Sequence, residues 1–362
     1  MRYLRLWITC FAVLALALAG CKKEKSASTG DSGSTATESK PKAKAKEINL
    51  FAWSEYVPQD VIDQFTNETG IRVNYETYAN NEEMLAKLVA GGTKYDLIQP
   101  SEYTIEALIK DNRLAPLDHA NIPNLKNIDP ALTNLAHDPG SKYSVPWMTG
   151  TVCIVVNTDR IKDPIKGFKD VFQDKYKGRL VVLDDNREIV SWALSTLGIE
   201  PNNITPETLE KVKPIIKKWV SLVKIFDSDS PKTALLNGDV DMGVVWSGEA
   251  AILYEKDKKF RFIVPEEGTH LFIDSLCVPK NAPHKEAAEE FINFCLRPEV
   301  SKMISDSFPY TNPNLEACKL LSAEQLENEA SYPKGNLKLE IFRDIGDMGA
   351  EIDRMMTDIR AG

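Results

Sequence analysis

From residue 47 onward, short apolar runs alternate with amphipathic helical stretches, and that alternation confines the chain to one broad architecture. Ile48 to Trp53 reads as a strand. Pro58 to Thr69 reads as a helix with Val61, Ile62 and Phe65 on one face, Pro58 at its start and Gly70 after it. Ile71 to Tyr78 alternates as a strand, Glu82 to Val89 is helical, Tyr95 to Gln99 is a buried-strand run, and Tyr103 to Lys110 is helical. Strand–helix–strand order of this kind implies right-handed crossovers and a mostly parallel sheet. The pattern breaks near Tyr143 to Gly150, and a second series opens with Thr151 to Asn157. Arg179–Leu183, Val240–Trp246, Phe260–Val264 and Leu271–Val278 read as strands. Glu188–Leu197, a long segment from Thr205 to about Phe226, His284–Leu296 and Pro298–Ser307 read as helices. No internal repeat is present. The expected fold class is therefore α/β, in two lobes that each carry a mostly parallel sheet flanked by helices, joined by more than one crossing strand. One large doubly wound sheet is the alternative. A chain of 362 residues, 43% hydrophobic, is long enough for two cores.

The first 46 residues follow other rules. Arg2 and Arg5 precede an apolar run from Leu6 to Ala19, and Leu18-Ala19-Gly20-Cys21 closes it. This is the layout of a secretory signal, and the run is short for a membrane span of about 20 residues. The closing four residues resemble the bacterial lipobox, in which the Cys becomes a lipidated N-terminus. Residues 1–20 are expected to be a lipoprotein signal peptide, Cys21 the lipidation site, and 21–46 a flexible tether too polar to bury a core. An ordinary signal peptide cut elsewhere is the alternative. Residues 22–46 carry seven Lys against three acids, so residues 47–362 carry about −15 although the whole chain carries −9. A strongly acidic body argues against nucleic acid as a partner and suits either a cationic ligand or plain solubility. Of the cysteines that remain, Cys153, Cys277 and Cys295 stand in apolar runs and read as small buried hydrophobes. Spacing alone gives no disulfide connectivity for them or for Cys318.

In open α/β sheets, ligands bind beyond the carboxyl ends of the strands. The residues there are Trp53-Ser54-Glu55-Tyr56, Gln99-Pro100-Ser101-Glu102-Tyr103, Asp184-Asp185-Asn186-Arg187-Glu188, Trp246-Ser247-Gly248-Glu249 and Phe272-Ile273-Asp274. They are aromatic and acidic, and histidine and lysine are missing from these strand ends. Ammonium groups seek carboxylates and hydroxyls, and aromatic faces attract cations at about 0.5–2 kcal/mol each. Acids at two ends with aromatic walls between them would read a diamine. Each residue also has a plainer reading. Trp53 and Trp246 could be core aromatics, Asp185 and Glu188 could cap a helix, and Tyr56 and Tyr103 could be half-buried surface. Asp274, an acid inside an apolar strand, needs a partner, a role or an outward orientation. No nucleophile-elbow, phosphate-loop, dinucleotide or zinc-protease motif occurs, and neither a metal nor a cofactor is implied. A glycosidase-like secreted hydrolase using paired cleft carboxylates, and an adhesin-type surface lipoprotein, are the competing readings.

The motifs Trp53-Ser-Glu-Tyr-Val-Pro, Tyr95-Asp-Leu…Pro100-Ser-Glu-Tyr, Asp184-Asp-Asn-Arg-Glu, Trp246-Ser-Gly, Asp274-Ser-Leu, Phe294-Cys-Leu-Arg-Pro and Pro309-Tyr-Thr-Asn-Pro-Asn together resemble the spermidine/putrescine-binding proteins of polyamine ABC importers. The resemblance runs from Glu47 to the C-terminus. It implies a two-lobed, type II periplasmic binding protein that is not an enzyme, with lobe 1 formed by 47–150 plus about 276–330 and lobe 2 by 151–275 plus about 331–362. Its ligand positions fall on Trp53, Ser54, Tyr56, Ser101, Tyr103, Asp185, Glu188, Trp246, Phe272, Asp274 and Tyr310. The acids Asp185, Glu188 and Asp274 would hold amino groups, and Trp53 would stack on the methylene chain. Two departures point to putrescine before spermidine. Phe272 stands where spermidine-preferring members carry Trp, and Ile341-Phe342 stands where they carry Trp-Gln. The implied partners are a polyamine and the permease subunits of an inner-membrane ABC importer, served by a monomer anchored in the periplasm through Cys21.

Overall fold

The computed structural model describes residues 45–361 apart from Thr93. The signal segment 1–20, Cys21 and nearly all of the 21–46 tether lie outside the described residues.

The first series is β1 (Glu47–Trp53), α1 (Gln59–Thr69), β2 (Arg72–Tyr78), α2 (Asn81–Ala90), β3 (Leu97–Ile98) and α3 (Glu102–Lys110). Helix α1 buries Val61, Ile62 and Phe65 and closes at Gly70, whose φ of 73° lies in the left-handed region. Helix α2 begins where the Asn80 side chain accepts the Glu83 N–H. A small hairpin, β4 (Asn134–Leu135) with β5 (Asp138–Pro139), precedes β6 (Ser144–Asn157), whose 14 residues are all buried.

The second series is α4 (Phe168–Val171), β7 (Leu180–Val182), α5 (Asn186–Thr196), α6 (Pro206–Val220), β8 (Ile225–Phe226), α7 (Lys232–Leu236), β9 (Met242–Trp246), α8 (Ser247–Lys256) and β10 (Phe260–Ile263). The chain then returns through β11 (Thr269–Cys277) to α9 (Lys285–Cys295), α10 (Pro298–Ser307), α11 (Leu315–Cys318) and α12 (Ala323–Glu327), and ends with β12 (Leu339–Glu340) and α13 (Met348–Ala361).

Two expectations need correction. The break placed between residues 150 and 151 falls inside one continuous strand, β6. The helix opened by Thr205 carries a capping box, with Thr205 and Thr208 exchanging bonds, but it stops at Val220. Ile225 and Phe226 instead pair in parallel with Val181 and Val182, where a sheet edge supplies backbone partners.

The main sheet runs β2-β1-β3-β11-β6-β9-β7-β8. Its two flanks are parallel: β1 pairs with β2 and β3, and β7 with β8 and β9. Its middle is antiparallel, because β6 and β11 run against each other and against their outer neighbours. The fold is thus a two-lobed α/β architecture whose lobes share a pair of long crossing strands. The apolar interior follows the same division. One large cluster gathers Ile48, Leu50, Phe65, Leu276, Phe291 and Phe294, and another gathers Ile154, Phe168, Trp192, Val212, Val244 and Met355. Trp246 packs against both. Cys153, Cys277 and Cys295 are buried free thiols, and Cys318 is a partly buried one.

Candidate functional site

The carboxyl ends of β1, β3, β7 and β9 and the middle of β11 open on one cleft of about 690 Å³. All eleven residues that the sequence nominated line it. Trp53, Ser54 and Tyr56 come from the turn after β1, where Glu55 adopts a positive φ of 53°. Ser101 and Tyr103 sit at the start of α3. Asp185 and Glu188 sit at the start of α5, and Trp246 at the start of α8. Tyr310 enters from the loop after α10. Phe272 and Asp274 are two residues apart on β11, so the pleat turns both to the same side.

Aromatic rings form the wall. Trp246 and Phe272 stand edge to face at 5.5 Å, Tyr56 and Tyr310 lie 5.3 Å apart, and Phe272 and Tyr310 lie 5.9 Å apart. Two glycines make this packing possible. A Cβ at Gly150 would come within 2.4 Å of the Phe272 ring, and one at Gly248 within 2.6 Å of the Tyr310 ring. The Trp246 indole N–H donates to the Ser228 carbonyl at 3.0 Å, which fixes the plane of the ring.

Acids form two poles. At the first, Asp274 is buried; its Oδ2 accepts the Tyr56 hydroxyl at 2.9 Å and its Oδ1 accepts the Ser101 hydroxyl at 2.6 Å. Asn81 donates to both Ser101 and Tyr103, holding those side chains in place. Burial pushes the Asp274 carboxyl up to about 7, against the opposing pull of the two hydroxyl donors. A bulge follows at once, between Asp274 and Ser275. Among the described residues no Lys, Arg or His forms an ion pair with Asp274.

At the second pole, Asp185 caps α5: its Oδ1 accepts the Glu188 N–H at 2.9 Å. The capping reading and the cleft-lining reading hold together. Burial, with Glu82 and Glu188 nearby, raises the Asp185 carboxyl to about 8. The strand ends carry no histidine, but the middle of β11 brings one into the cleft. His270 lines the cleft, with its Nδ1 2.6 Å from Glu188 Oε1 and its Nε2 2.8 Å from Glu102 Oε1. Arg187 lines it too, with its guanidinium over the Phe342 ring at 4.6 Å. The pleat of β11 carried a signal for His270, which stands two residues before Phe272 and four before Asp274. Lys232 is the third cation near the site, bonding Glu249 at 2.8 Å and Glu55 at 2.6 Å. Ser54 bonds Asp229 close by.

An ammonium placed against Asp274 would complete a buried carboxylate that two hydroxyls already orient, and a methylene chain leaving it would run between aromatic faces. Such a cleft can hold an organic cation.

The described fold and this cleft agree with what the chain resembles. The family model for bacterial extracellular solute-binding protein matches residues 60–332. The spermidine/putrescine-binding periplasmic protein of Salmonella typhimurium is 38% identical over 317 residues, covering 86% of this chain and 91% of that one. The putrescine-binding periplasmic protein PotF of Escherichia coli is 30% identical, covering 86% and 90%. Among solved structures, the spermidine/putrescine ABC transporter substrate-binding protein PotD from Streptococcus pneumoniae superposes with a TM-score of 0.73 at 32% identity, covering 88% and 99%.

Proposed function

The chain belongs to the family of bacterial extracellular solute-binding proteins, and from that premise we propose that it is the polyamine receptor of an ABC importer, taking putrescine first and spermidine second. The observation that carries this reading is Asp274: a buried carboxylate with two hydroxyl donors, no ion-pair partner among the described residues and an aromatic wall beside it. A free ammonium is the group that satisfies it. The eleven cleft residues surround the ligand, with Asp274 and Asp185 facing its amines and Trp53, Trp246, Phe272 and Tyr310 covering the methylenes. The family is one of solute binders and not of enzymes, which sets aside the hydrolase reading.

The proposed mechanism is capture by closure. Lobe 1 (47–150 with about 276–330) and lobe 2 (151–275 with about 331–362) turn about β6 and β11, and ligand contacts from both lobes shift the population to the closed form. The closed form docks on the permease subunits, and the protein stays in the periplasm on a lipid at Cys21. The greater identity to spermidine/putrescine-binding relatives favours a second reading, in which spermidine is held as tightly as putrescine.

Calorimetric titration of protein freed of carried-over ligand by unfolding and refolding decides between these readings. Saturable one-to-one heat with putrescine at micromolar affinity, about −8 kcal/mol, supports the receptor, and the order of the two amines tests the preference. Folded protein that gives no heat with either amine overturns the receptor reading.

A further inference from the structure

The second pole of the cleft contains a cation of its own. Both Glu188 oxygens are engaged: Oε1 lies 2.6 Å from His270 Nδ1, and Oε2 accepts the Trp192 indole N–H at 3.0 Å. The other His270 nitrogen lies 2.8 Å from Glu102 Oε1, and the second Glu102 oxygen accepts the Ile273 N–H. A neutral imidazole has one N–H and one lone pair, so between two carboxylates it would turn that lone pair on an anion. Two charge-assisted bonds require the imidazolium. The ring is 4% exposed and lies flat on Phe342, with centroids 3.6 Å apart and planes 4° apart. Aromatic faces stabilise cations, and the Arg187 guanidinium stands over the same ring.

We propose that His270 is a specificity-determining residue, an internal imidazolium that holds the Glu188 carboxylate where a longer polyamine would place an amine, and so confines the cleft to short diamines. This rests on the polyamine reading above. His270 lies four residues before Asp274 on β11, a rise of about 13 Å along a strand. A diamine anchored at Asp274 can use Asp185, which gives only one oxygen to its helix cap, whereas both Glu188 oxygens are taken. A triamine brings a third cation, which needs a further acceptor at the His270 end. There it meets a carboxylate already neutralised, with Arg187 beside it. The groups around the imidazolium are Glu102 from α3, Glu188, Asp185 and Arg187 from α5, and the Phe342 ring.

The test is the ratio of putrescine to spermidine affinity at pH 7.5, measured by calorimetry on wild-type protein and on His270→Gln. Removing the imidazolium frees Glu188, so spermidine is expected to gain at least tenfold relative to putrescine. A ratio that moves less than twofold in a variant that still binds putrescine overturns the proposal. A wild-type protein that binds spermidine tenfold more tightly than putrescine overturns it as well. Should His270→Gln fail to fold, the wild-type ring is read directly: its ¹⁵N shifts at pH 8 are expected to show both nitrogens protonated, with and without putrescine, and a neutral ring sinks the idea. Folded wild-type protein that binds neither amine removes the polyamine reading itself, and this inference falls with it.

Discussion

At the residue scale, the proposed recognition falls most heavily on one side chain, Asp274. Its two hydroxyl partners donate but carry no charge, and no cation among the described residues pairs with it, so in the proposed complex the ligand supplies that charge. Asp274→Asn keeps the shape and removes the charge. The expected outcome is a loss of at least 100-fold in putrescine affinity, about 2.7 kcal/mol, by calorimetry. Wild-type affinity in the variant would show that the anchor lies elsewhere. The same carboxyl predicts the pH dependence of binding. Burial holds it near 7 in the empty cleft, so part of the population is protonated at neutral pH and loses that proton to solvent when an ammonium arrives. Affinity should fall as the pH drops from 8 to 5.5, and titrations in buffers of different ionisation enthalpy should show net proton release near pH 7. Heats that do not depend on the buffer would contradict this. The sequence made most of the cleft legible because strand ends bring Trp53, Ser101, Asp185 and Trp246 to one place wherever a parallel flank forms. It hid His270 because a lone histidine in an apolar run says nothing about carboxylates 82 and 168 residues away. Arg187 was hidden by its place inside a motif whose acids drew the attention.

At the scale of elements, the cleft depends on contacts between the β1 turn and the α7–α8 corner. Lys232, at the start of α7, bonds Glu249 of α8 and reaches Glu55 beyond β1, while Ser54 bonds Asp229. Glu249 is almost wholly buried, and burial raises its carboxyl despite the Lys232 ammonium. Lys232→Met therefore removes a cross-cleft tie and leaves a buried acid unpaired. Putrescine is expected to bind three- to tenfold more weakly, with the change carried by the dissociation rate in stopped-flow measurements. An unchanged rate would mean that the tie has no part in holding the cleft shut. The helices read from the sequence start within a residue or two of where they were placed, with Pro58 and Thr205 as chemical markers, whereas α8 and α13 were not read at all. Nor was the end of α6. Val223, Ile225 and Phe226 suit a helix or a strand by pattern alone, and the decision came from the open edge of β7. The length of β6 was hidden for a related reason: its residues are buried on both faces, so no alternation marks where one lobe gives way to the other.

At the scale of the whole molecule, the buried ionisable groups of the cleft tie stability to pH in one direction. Asp274 and Asp185 titrate near 7 and 8 in the fold, above their ordinary value of 3.8, so the folded state holds protons that the unfolded chain has already lost. Their contribution is complete below about pH 4 and disappears as the pH rises through 7 and 8. His270 behaves alike: held near 10 against an ordinary 6.5, it contributes fully below 6.5 and loses that contribution as the pH rises through 10. Glu106, drawn down to about 2 chiefly by the Arg343 guanidinium, works oppositely and protects the fold until strong acid. The ligand-free protein should therefore melt at progressively lower temperature from pH 5 to pH 9.5. The increment given by saturating putrescine should grow from pH 5.5 to pH 8, because the ligand needs Asp274 ionised. Melting points flat across that range, or an increment that shrinks, would count against the buried-charge account. The ligand should also change the shape of the molecule. The first cluster brings Tyr56 and Tyr310, the second brings neighbours of Asp185, Trp246 touches both, and Phe272 and Asp274 ride on a crossing strand that both flanks share. A diamine bridging Asp274 and Asp185 can keep both contacts only while the flanks stay close, so binding energy favours the closed arrangement over every open one. Small-angle scattering should then show the radius of gyration falling by on the order of 1 Å when putrescine saturates the cleft. Saturation without any such change would mean that β6 and β11 hold the lobes rigidly and that the cleft selects its ligand without closing.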